Sequence, residues 1–523
     1  MRLLPGAGSP ISLRALLPEA AIQGAEDIVV AACAAEVAEV RPGSVFVAMG
    51  EGASRRPEPH IAEAVRRGCA AVLTDKPLAS VGVPVCRVSD PRLAYARLCH
   101  ALAGNPGRKL KAVAISGARG KRTTACLVAG VLHAAGCRLG MLGSLGCLDG
   151  RKVSHLADHP PRPDKTATLL ARMVANGCSH VILEAPAAAI RKGQLAGIPL
   201  DMLALTWAED EPEPPRPEVA TIEEPSNVWG TLLDQVAEDG LVVLNADDPL
   251  LESRLSAIDG PVLSVGLRAA AEIRGVRVDQ DAGGQTFLLV AGSDVMPVAV
   301  RTPGRDHLVY CLLAAAVGLA YEIDLPTVVR GLESVDYVPG RLERVDSGWP
   351  LPVFIDGART AQGLAACLET LREVVAGQVF CMVGVDPRAG SAASQPLIEA
   401  ARRGADTVIV TQAAPPPGAA RRQRSAKASA TAGTHRKAGR STAARRWART
   451  VEAYLAELGA VFGVQAVPER FEAFSAAVAQ ARPGDAVLVL AEDAREVRTW
   501  LSRVSPPDYS CGAHNAYAAR GQQ

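Results

Sequence analysis

The chain has 523 residues, of which 48% are hydrophobic, and this length predicts about three domains with large buried cores. The 56 basic and 55 acidic residues leave a net charge of +1, which argues against a wholly basic nucleic-acid-binding protein and against an acidic disordered chain. The 12 cysteines form no CxxC pair, which argues against a zinc knuckle or disulfide scaffold and favours a reducing, cytoplasmic environment.

Strand-like and helix-like stretches alternate along the chain. Short apolar runs predict buried strands, which in chain order read SVFVAMG, AAVLTD, VPVCRVSD, KAVAIS, SHVILEA, DMLALTW, LVVLNADDP, PVFIDGA, QVFCMVGV, ADTVIVT and DAVLVLAED. The longer stretches between them predict helices. This alternation predicts an α/β protein whose parallel sheets are covered by helices.

The longest apolar run spans residues 308–321 and has 14 residues. A membrane-spanning helix needs roughly 20, so this run predicts a buried helix. The first ten residues, MRLLPGAGSP, contain no apolar core of the length found in signal peptides. We therefore expect a cytoplasmic protein with no membrane span.

Two segments rich in glycine and proline interrupt the pattern. They are GNPGRK at 104–109 and YVPG at 337–340, and such residues concentrate in the linkers between domains. The sequence therefore predicts three domains, at 1–108, 109–337 and 338–523.

The last predicted domain contains a strongly basic segment at 413–449. No Asp or Glu lies between Asp406 and Glu452, and ten Lys and Arg residues lie from Arg421 to Arg449. The Ala, Ser, Gly and Pro residues around them cannot build a core, so we expect a disordered insertion. Such a segment is either a solvated loop or a contact for a protein partner, a membrane or nucleic acid.

A glycine-rich loop follows the strand KAVAIS and precedes a helical pattern; it reads GARGKRTT at 117–124. Glycines let backbone N–H groups approach phosphate oxygens, the helix N-terminus adds a positive dipole, and Lys121 adds a full charge. The loop is thus typical of nucleotide binding, although short glycine loops also occur as simple tight turns.

Further motifs stand in a fixed order around this loop. RPGSVFVAMGEG precedes it, and it is followed by LARMVANGCSHVILEA, LNADDP, VPGRLERVD, FIDGART and ARPGDAVLVLAED. The series resembles the Mur ligases of peptidoglycan synthesis, most closely their UDP-N-acetylmuramoyl-tripeptide synthetase branch, over residues 11–495. The resemblance implies an N-terminal UDP-sugar-binding-like domain, a central P-loop ATPase-like domain and a C-terminal Rossmann-like ligase domain.

The resemblance also implies ATP-dependent formation of an amide bond. ATP would phosphorylate a substrate carboxylate, which an amino acid amine then attacks. Cations stabilise the charge on a transferred phosphoryl group, and the family uses Mg²⁺ for this purpose. The implied cofactors are ATP and Mg²⁺, and the implied partners are a nucleotide and a UDP-sugar peptide.

Several positions of the family pattern keep a suitable residue. By resemblance, we expect the nucleotide to be bound by Gly117, Gly120, Lys121, Arg122, Thr123, Arg341 and Asp356. Glu184, in VILEA, matches the acidic metal ligand. Each of these also has a structural alternative: Glu184 could cap a helix or pair with an arginine, and Arg341 could form a salt bridge at a domain interface.

The positions that differ from the family pattern are mainly those that the family uses for catalysis and substrate binding. Arg122 replaces a Thr whose hydroxyl would ligate Mg²⁺. No lysine occurs from 193 to 426 to carry the family's carbamate, and no histidine occurs from 181 to 306 to supply its Asp-His pair. The substrate-contacting and adenine-side motifs are also changed, at 36–38, 161–163, 306–310 and 413–416.

These differences leave two main hypotheses. In the first, the protein keeps the Mur ligase framework while ligation is impaired or lost, which makes it a candidate pseudoenzyme. In the second, it is an active ligase with a changed substrate and a metal site rebuilt from Thr123, Glu184, Glu209, Asp210 and Glu211. Binding of nucleic acid or a partner through 413–449 is a minor third hypothesis.

Arg122 itself suggests a more specific expectation. A guanidinium beside Lys121 would be a fixed cation where the family recruits a metal ion, and it could hold phosphate oxygens through charge-assisted hydrogen bonds. This predicts nucleotide binding without Mg²⁺. The alternative is that Arg122 points into solvent from the first turn of the helix.

Overall fold

The computed structural model describes residues 10–49, 58–78, 81–156, 159–208, 228–253, 258–268, 271–346, 348–349, 351–386, 391–413, 442–491 and 494–504. The chain forms two compact units. The first comprises Met1–Val276, Leu288–Val298 and Leu308–Ser334, and the second comprises Arg277–Phe287, Ala299–His307 and Val335–Gln523. The division into three domains at 108 and 337 stays a prediction, and residues 414–441 of the basic segment lie outside the described residues.

The first unit begins with a five-stranded sheet in the order β2-β7-β6-β5-β4. Strand β2 is antiparallel to β7, and the other pairs are parallel. A 3₁₀ helix at Val37–Glu39 follows β4. The elements are β1 (Ile11–Ser12), α1 (Leu13–Leu16), β2 (Ala21–Gln23), β3 (Val29–Val30), β4 (Cys33–Ala34), β5 (Val45–Val47), α2 (Glu58–Arg66), β6 (Ala71–Thr74), β7 (Val85–Arg87) and α3 (Pro91–Leu102).

A second sheet has the order β11-β10-β9-β12-β8-β13-β14-β15 within the first unit, and it continues into β16, β17 and β18, each of which has residues assigned to both units. All pairs from β9 to β16 are parallel, whereas β10 is antiparallel to both its neighbours. The strands are β8 (Lys111–Ser116), β9 (Leu139–Gly143), β10 (Gly146–Leu148), β11 (Val153–Ser154), β12 (His180–Glu184), β13 (Leu200–Leu205), β14 (Val236–Asn245), β15 (Val262–Gly266), β16 (Ile273–Asp281), β17 (Gly284–Ala291) and β18 (Asp294–Val300).

The helices between these strands are α4 (Lys121–Ala134), α5 (Pro163–Ala175), α6 (Ala187–Arg191), α7 (Val228–Leu233), α8 (Pro249–Glu252), α9 (Arg305–Ala320) and α10 (Leu325–Glu333), and a 3₁₀ helix spans Pro106–Lys109. In β8 the run KAVAIS is buried except at its first residue, as expected for a central parallel strand. Because β8 lies between β12 and β13, the carboxyl ends of these three strands are neighbours. Ligands bind at this edge in open parallel sheets.

The second unit contains a six-stranded sheet in the order β19-β20-β24-β21-β22-β23. Strand β19 is antiparallel to β20, and the other pairs are parallel. The elements are β19 (Glu343–Val345), β20 (Val353–Asp356), α11 (Ala361–Val374), β21 (Val379–Val385), α12 (Ser391–Gly404), β22 (Thr407–Gln412), α13 (Thr442–Phe462), β23 (Gln465–Ala466), α14 (Arg470–Gln480), β24 (Ala486–Leu490) and α15 (Arg495–Leu501).

Helices cover both faces of this sheet. One buried cluster joins the sheet to α11, α12 and α13 through Leu368, Ile398 and Leu455. The other joins it to α14 and α15 through Phe474 and Trp500. The prediction of an α/β fold with helix-covered parallel sheets is confirmed. Within the described part of the chain, no helix is long and apolar enough to cross a membrane.

Candidate nucleotide site

The glycine loop connects β8 to α4 at the carboxyl edge of the central sheet. Gly117 and Gly120 have φ angles of +133° and +86°, which L side chains rarely adopt. A Cβ atom at Gly117 would overlap the Thr206 hydroxyl, and one at Gly120 would overlap the ring of Tyr310. Both the backbone conformation and the close packing therefore require glycine, as expected for a loop that presents its backbone.

Lys121 is the first residue of α4, and Gly120 is its N-cap without a capping side chain. The Lys121 Nζ atom donates to the carbonyl oxygens of Gly117 and, at 3.2 Å, of Ala118. The ammonium group thus lies over the loop. The first N–H groups of a helix have no partner within the helix, so the lysine charge and the helix N-terminus come together at one place.

Arg122 does not point into solvent, because only 8% of its surface is exposed. Its Nε atom donates a hydrogen bond of 2.7 Å to the Ser144 hydroxyl, just after β9. That hydroxyl donates in turn to Oε1 of Glu184 at 3.2 Å. Arg122 and Glu184 are therefore linked through the Ser144 hydroxyl.

Glu184 is the last residue of β12 and only 4% of it is exposed. Its Oε2 atom lies 3.7 Å from Nε2 of His159. Burial raises the pKa of the Glu184 carboxyl, but His159 and Ser144 together outweigh burial and lower that pKa below its ordinary value. The side chain is therefore a buried carboxylate already engaged by two neighbours.

Two aromatic side chains border the loop, and their role could not be derived from the sequence. The guanidinium carbon of Arg119 lies 4.1 Å from the centre of the Trp207 ring, which follows β13. The Thr206 hydroxyl donates to the carbonyl oxygen of Ser116 at 3.1 Å and to that of Arg119 at 2.5 Å. Tyr310, on α9, packs against Gly120 from the other side.

The remaining loop residue of the expected set, Thr123, is 3% exposed on the first turn of α4. It lies about 100° around the helix from Arg122. Ser144 and His159 were not anticipated, since Ser144 is 22 residues from Arg122 and neither belongs to a recognisable motif. Their only sequence signal is the retained carboxylate of Glu184, which needs partners when buried.

The acidic pair in NADDP has the structural role that its turn sequence suggests. Asp248 caps α8 by accepting from Leu250 N and Leu251 N, and it also accepts from Ala208 N at 2.7 Å. Asp247 accepts from the backbone N–H groups of Leu267 and Arg268, each at 3.1 Å. These carboxylates therefore tie the ends of three neighbouring strands together.

Arg341 and Asp356 lie in the second unit and are brought together there. The Asp356 carboxylate accepts from Leu342 N and from Ala358 N, both at 2.8 Å. Arg341 donates to the carbonyl oxygen of Gly340 at 2.9 Å. The Asp356 side chain thus holds the turn of the VPGRLER motif against the end of β20, and its nucleotide contact stays a prediction.

The loop residues fit the phosphates of a nucleotide better than they fit a magnesium ion. Lys121 and the N-terminus of α4 present positive charge, which suits phosphate oxygens. Among the described residues, no group of three His, Cys, Asp or Glu side chains could hold a metal ion. Glu184 is paired as above, and the other expected ligands, Glu209, Asp210 and Glu211, lie outside the described residues.

A separate cavity of about 530 Å³ lies in the first unit. Its lining includes residues from 36–38 and 161–163, where the sequence differs from the family's substrate-contacting motifs. Its walls include Glu36, Arg92, Tyr95, Arg162 and Lys192. The Arg162 guanidinium pairs with Glu36, with Glu39 at 2.7 Å and with Asp164 at 3.3 Å. Burial lowers the pKa of the Arg162 guanidinium, but Asp164 and Glu39 outweigh burial and raise that pKa above its ordinary value, so the charge of Arg162 is already paired.

Comparison with known proteins gives the class of this molecule. The chain matches the Mur ligase middle domain over residues 115–319 and the glutamate ligase domain of Mur ligases over residues 340–492. The UDP-N-acetylmuramoyl-L-alanyl-D-glutamate–2,6-diaminopimelate ligase of Geobacillus thermodenitrificans is 27% identical over 457 residues, covering 86% of this chain and 87% of that protein. The UDP-N-acetylmuramyl-tripeptide synthetase of a Roseiflexus species is 28% identical over 500 residues, covering 92% and 93%.

Solved structures share the fold at lower identity. A UDP-N-acetylmuramoyl-L-alanyl-D-glutamate–2,6-diaminopimelate ligase matches with a TM-score of 0.64 and 18% identity, over 94% of this chain and 99% of its own. Folylpolyglutamate synthase of Mycobacterium tuberculosis, complexed with ADP, matches with a TM-score of 0.57 and 19% identity, over 80% and 96%.

The parallel sheets, the glycine loop before α4 and these matches define an α/β protein built like the ligases of peptidoglycan precursor synthesis. The chain belongs to the Mur ligase family. The resemblance inferred from the order of motifs is therefore confirmed, and so is the fold that it implied. The residues of the site differ from that pattern as described above, and their roles are a matter for proposal.

Proposed function

We propose that this Mur ligase family protein binds ATP at the loop 117–124 and that its amide ligation is impaired or lost. The observation that carries this proposal is the buried link from Arg122 through Ser144 to Glu184. When bound, ATP would supply the phosphoryl group for activating a carboxylate, as the family relationship implies.

The first argument concerns the phosphates. Lys121 and the N-terminus of α4 provide a fixed positive surface, and Arg122 adds a second permanent charge directly beside it. A guanidinium is ionised at all relevant pH values and forms strong hydrogen bonds with phosphate oxygens. We therefore infer that nucleotide binding requires little or no Mg²⁺.

The second argument concerns turnover. Phosphoryl transfer is catalysed mainly by positioning the reactants and by cations that stabilise the charge on the phosphoryl group as it is transferred. Arg122 is held by Ser144 and is buried, so its charge cannot move with the transferred group. The chain also lacks any lysine from 193 to 426, which removes the side chain on which the family's carbamate would form.

The third argument concerns the acceptor substrate. The curated relatives are named for UDP-N-acetylmuramoyl-L-alanyl-D-glutamate and diaminopimelate, and we propose that any acceptor of this protein is a related UDP-sugar peptide. The cavity wall formed by Glu36 and Arg162 has its charges mutually paired. Binding of an acidic acceptor there would have to break this pair, which supports weak or altered acceptor binding.

The test is a calorimetric titration of the full-length protein with ATP, once with Mg²⁺ and once with EDTA. We expect similar affinities in the two conditions. For Arg122→Thr we expect roughly tenfold weaker binding in EDTA, as for the loss of a charge-assisted hydrogen bond, with recovery on adding Mg²⁺. Lys109→Thr, which removes an exposed cation of the same unit, is the matched control and should behave like the wild type.

Catalysis is tested separately by ADP release in the presence of UDP-N-acetylmuramoyl-L-alanyl-D-glutamate and a panel of amino acids. No release that depends on both substrates is expected. Steady release that requires Mg²⁺ would overturn the proposal and favour the alternative, an active ligase with a rebuilt metal site. Binding of ATP only with Mg²⁺ would contradict the role given to Arg122.

A further inference from the structure

The thiols of Cys33 and Cys99 are in contact in the first unit. Their sulfur atoms are 3.6 Å apart, although 66 residues separate them in the chain. Cys33 lies on β4 and Cys99 on α3. Both belong to the same apolar cluster under the five-stranded sheet, so the contact joins two different elements.

The two thiols differ in their access to small molecules. Cys33 is half-buried, whereas Cys99 is 5% exposed. The contact with Cys33 and the burial of Cys99 raise the pKa of the Cys99 thiol well above its ordinary value. A reagent from solution would therefore meet Cys33 first, with Cys99 behind it as a protonated neighbour.

Each cysteine is close in the chain to residues that line the 530 Å³ cavity, although neither cysteine lines it. Cys33 is two residues before Ala35, where the wall containing Glu36 begins. On α3, Tyr95 lies one turn before Cys99 and also lines the cavity. A covalent bond between the two sulfur atoms would consequently fasten the segments that carry these lining residues to each other.

We propose that Cys33 and Cys99 form a redox modification site, at which hydrogen peroxide converts the two thiols into a disulfide. The sulfur atom of Cys33 attacks one oxygen of hydrogen peroxide, the O–O bond breaks, and the leaving hydroxide takes the Cys33 thiol proton, which gives a sulfenic acid and one molecule of water. The sulfur of Cys99 then attacks the sulfenic sulfur and its proton passes to the leaving oxygen, so that the S–S bond forms, the S–O bond breaks and a second water leaves. One peroxide is reduced and two thiols are oxidised.

The geometry requires only a small movement. A disulfide has a sulfur separation of roughly 2.05 Å, so the two sulfur atoms must approach by about 1.5 Å from their present contact. In a reducing cytoplasm the thiols remain the resting state. The site therefore responds to an oxidant without depending on ATP binding, and its test is independent of the function proposed above.

The experiment exposes the full-length protein to hydrogen peroxide, blocks the remaining thiols by alkylation and maps peptides by mass spectrometry without reduction. We expect a peptide linked through Cys33 and Cys99 that disappears on reduction. Cys33→Ser should abolish it, and Cys99→Ala should leave a sulfenic acid at Cys33 that dimedone labels. Cys137→Ser, at another half-buried cysteine of the same unit, should keep the linked peptide.

A second measurement covers the case in which Cys99→Ala does not fold. The oxidised wild type should melt at least a few degrees above the reduced form, because a cross-link restricts the unfolded chain, and Cys33→Ser should show no such shift. Oxidation at Cys33 to sulfinic acid with no linked peptide, in protein that keeps its circular dichroism spectrum, would overturn the proposal.

Discussion

Single residues decide the character of the phosphate loop, and Arg122 is the clearest case. A long cationic side chain at the second position of a helix would ordinarily extend into water. Here it is buried, and Ser144 connects it to Glu184. A buried charge is tolerated only when other groups compensate it, so the carboxylate retained from the family pattern has a structural partner in this protein.

Glu184→Gln tests this compensation. The substitution keeps the volume but removes the negative charge that lies near His159 and that Ser144 links to Arg122, and we expect the free energy of unfolding to fall by about 3 kcal/mol. Urea denaturation measures the effect. Glu252→Gln, at an exposed position of α8, should change that free energy by less than about 0.5 kcal/mol. Equal effects of the two substitutions would show that the charge of Glu184 does not stabilise this buried network.

At the scale of elements, α4 has a glycine at each end. Gly120 precedes the helix with a φ angle of +86°, and Gly136 follows it with a φ angle of +78°. The two differ in their surroundings: a Cβ atom at Gly136 would meet open space, whereas one at Gly120 would overlap Tyr310. The helix therefore ends in solvent but begins against a packed aromatic ring.

Replacing each glycine by alanine separates backbone strain from packing. Gly136→Ala should cost about 1 kcal/mol of stability, from the left-handed conformation alone. Gly120→Ala should cost about 3 kcal/mol, because the methyl group also collides with Tyr310. Chemical denaturation measures both. In a Tyr310→Ala background, Gly120→Ala should cost less stability than it does in the wild type, because the ring that the methyl group meets is gone. An equal cost in both backgrounds would mean that Tyr310 is not the obstacle.

For the whole molecule, three buried histidines of the described residues, His100, His180 and His307, have a pKa that burial lowers. Burial lowers the pKa of His100, in the first unit, from 6.5 to about 4, and the pKa of His307, in the second, to about the same value. Neither ring nitrogen of His100 has a hydrogen-bond partner among the described residues. The unfolded chain would bind a proton at each histidine at a higher pH than the folded protein does.

The pH dependence of stability follows from these pKa values. Above pH 6.5 these neutral histidines do not disfavour folding, and as the pH falls from 6.5 to about 4 the unfolded chain binds protons at His100 and His307 before the folded protein does. We expect His100 and His307 each to remove up to about 3 kcal/mol of stability over that range. Urea midpoints at pH 7.5, 6 and 5 measure the loss. His100→Gln should flatten the dependence, and His155→Gln, at an exposed site, should leave it unchanged.

The sequence was sufficient for features that depend on local pattern and chain order. The alternation of apolar strands with helices predicted the parallel sheets, and GARGKRTT between β8 and α4 predicted a glycine turn at a helix start. The turn in NADDP was also interpretable, because Asp248 caps the helix that follows it directly. These features involve residues close together in the chain, where propensity and spacing carry the information.

Side-chain direction and long-range contact required the tertiary structure. The sequence left open whether Arg122 is solvated or faces the site. The direction of its side chain depends on Ser144 and Glu184, which lie at the ends of two other strands. It gave no sign that Cys33 touches Cys99. The sequence by itself thus determined the family and the α/β fold, through patterns repeated over hundreds of residues. Only the folded chain decided which charges are paired, because pairing depends on distances between residues that the sequence keeps far apart.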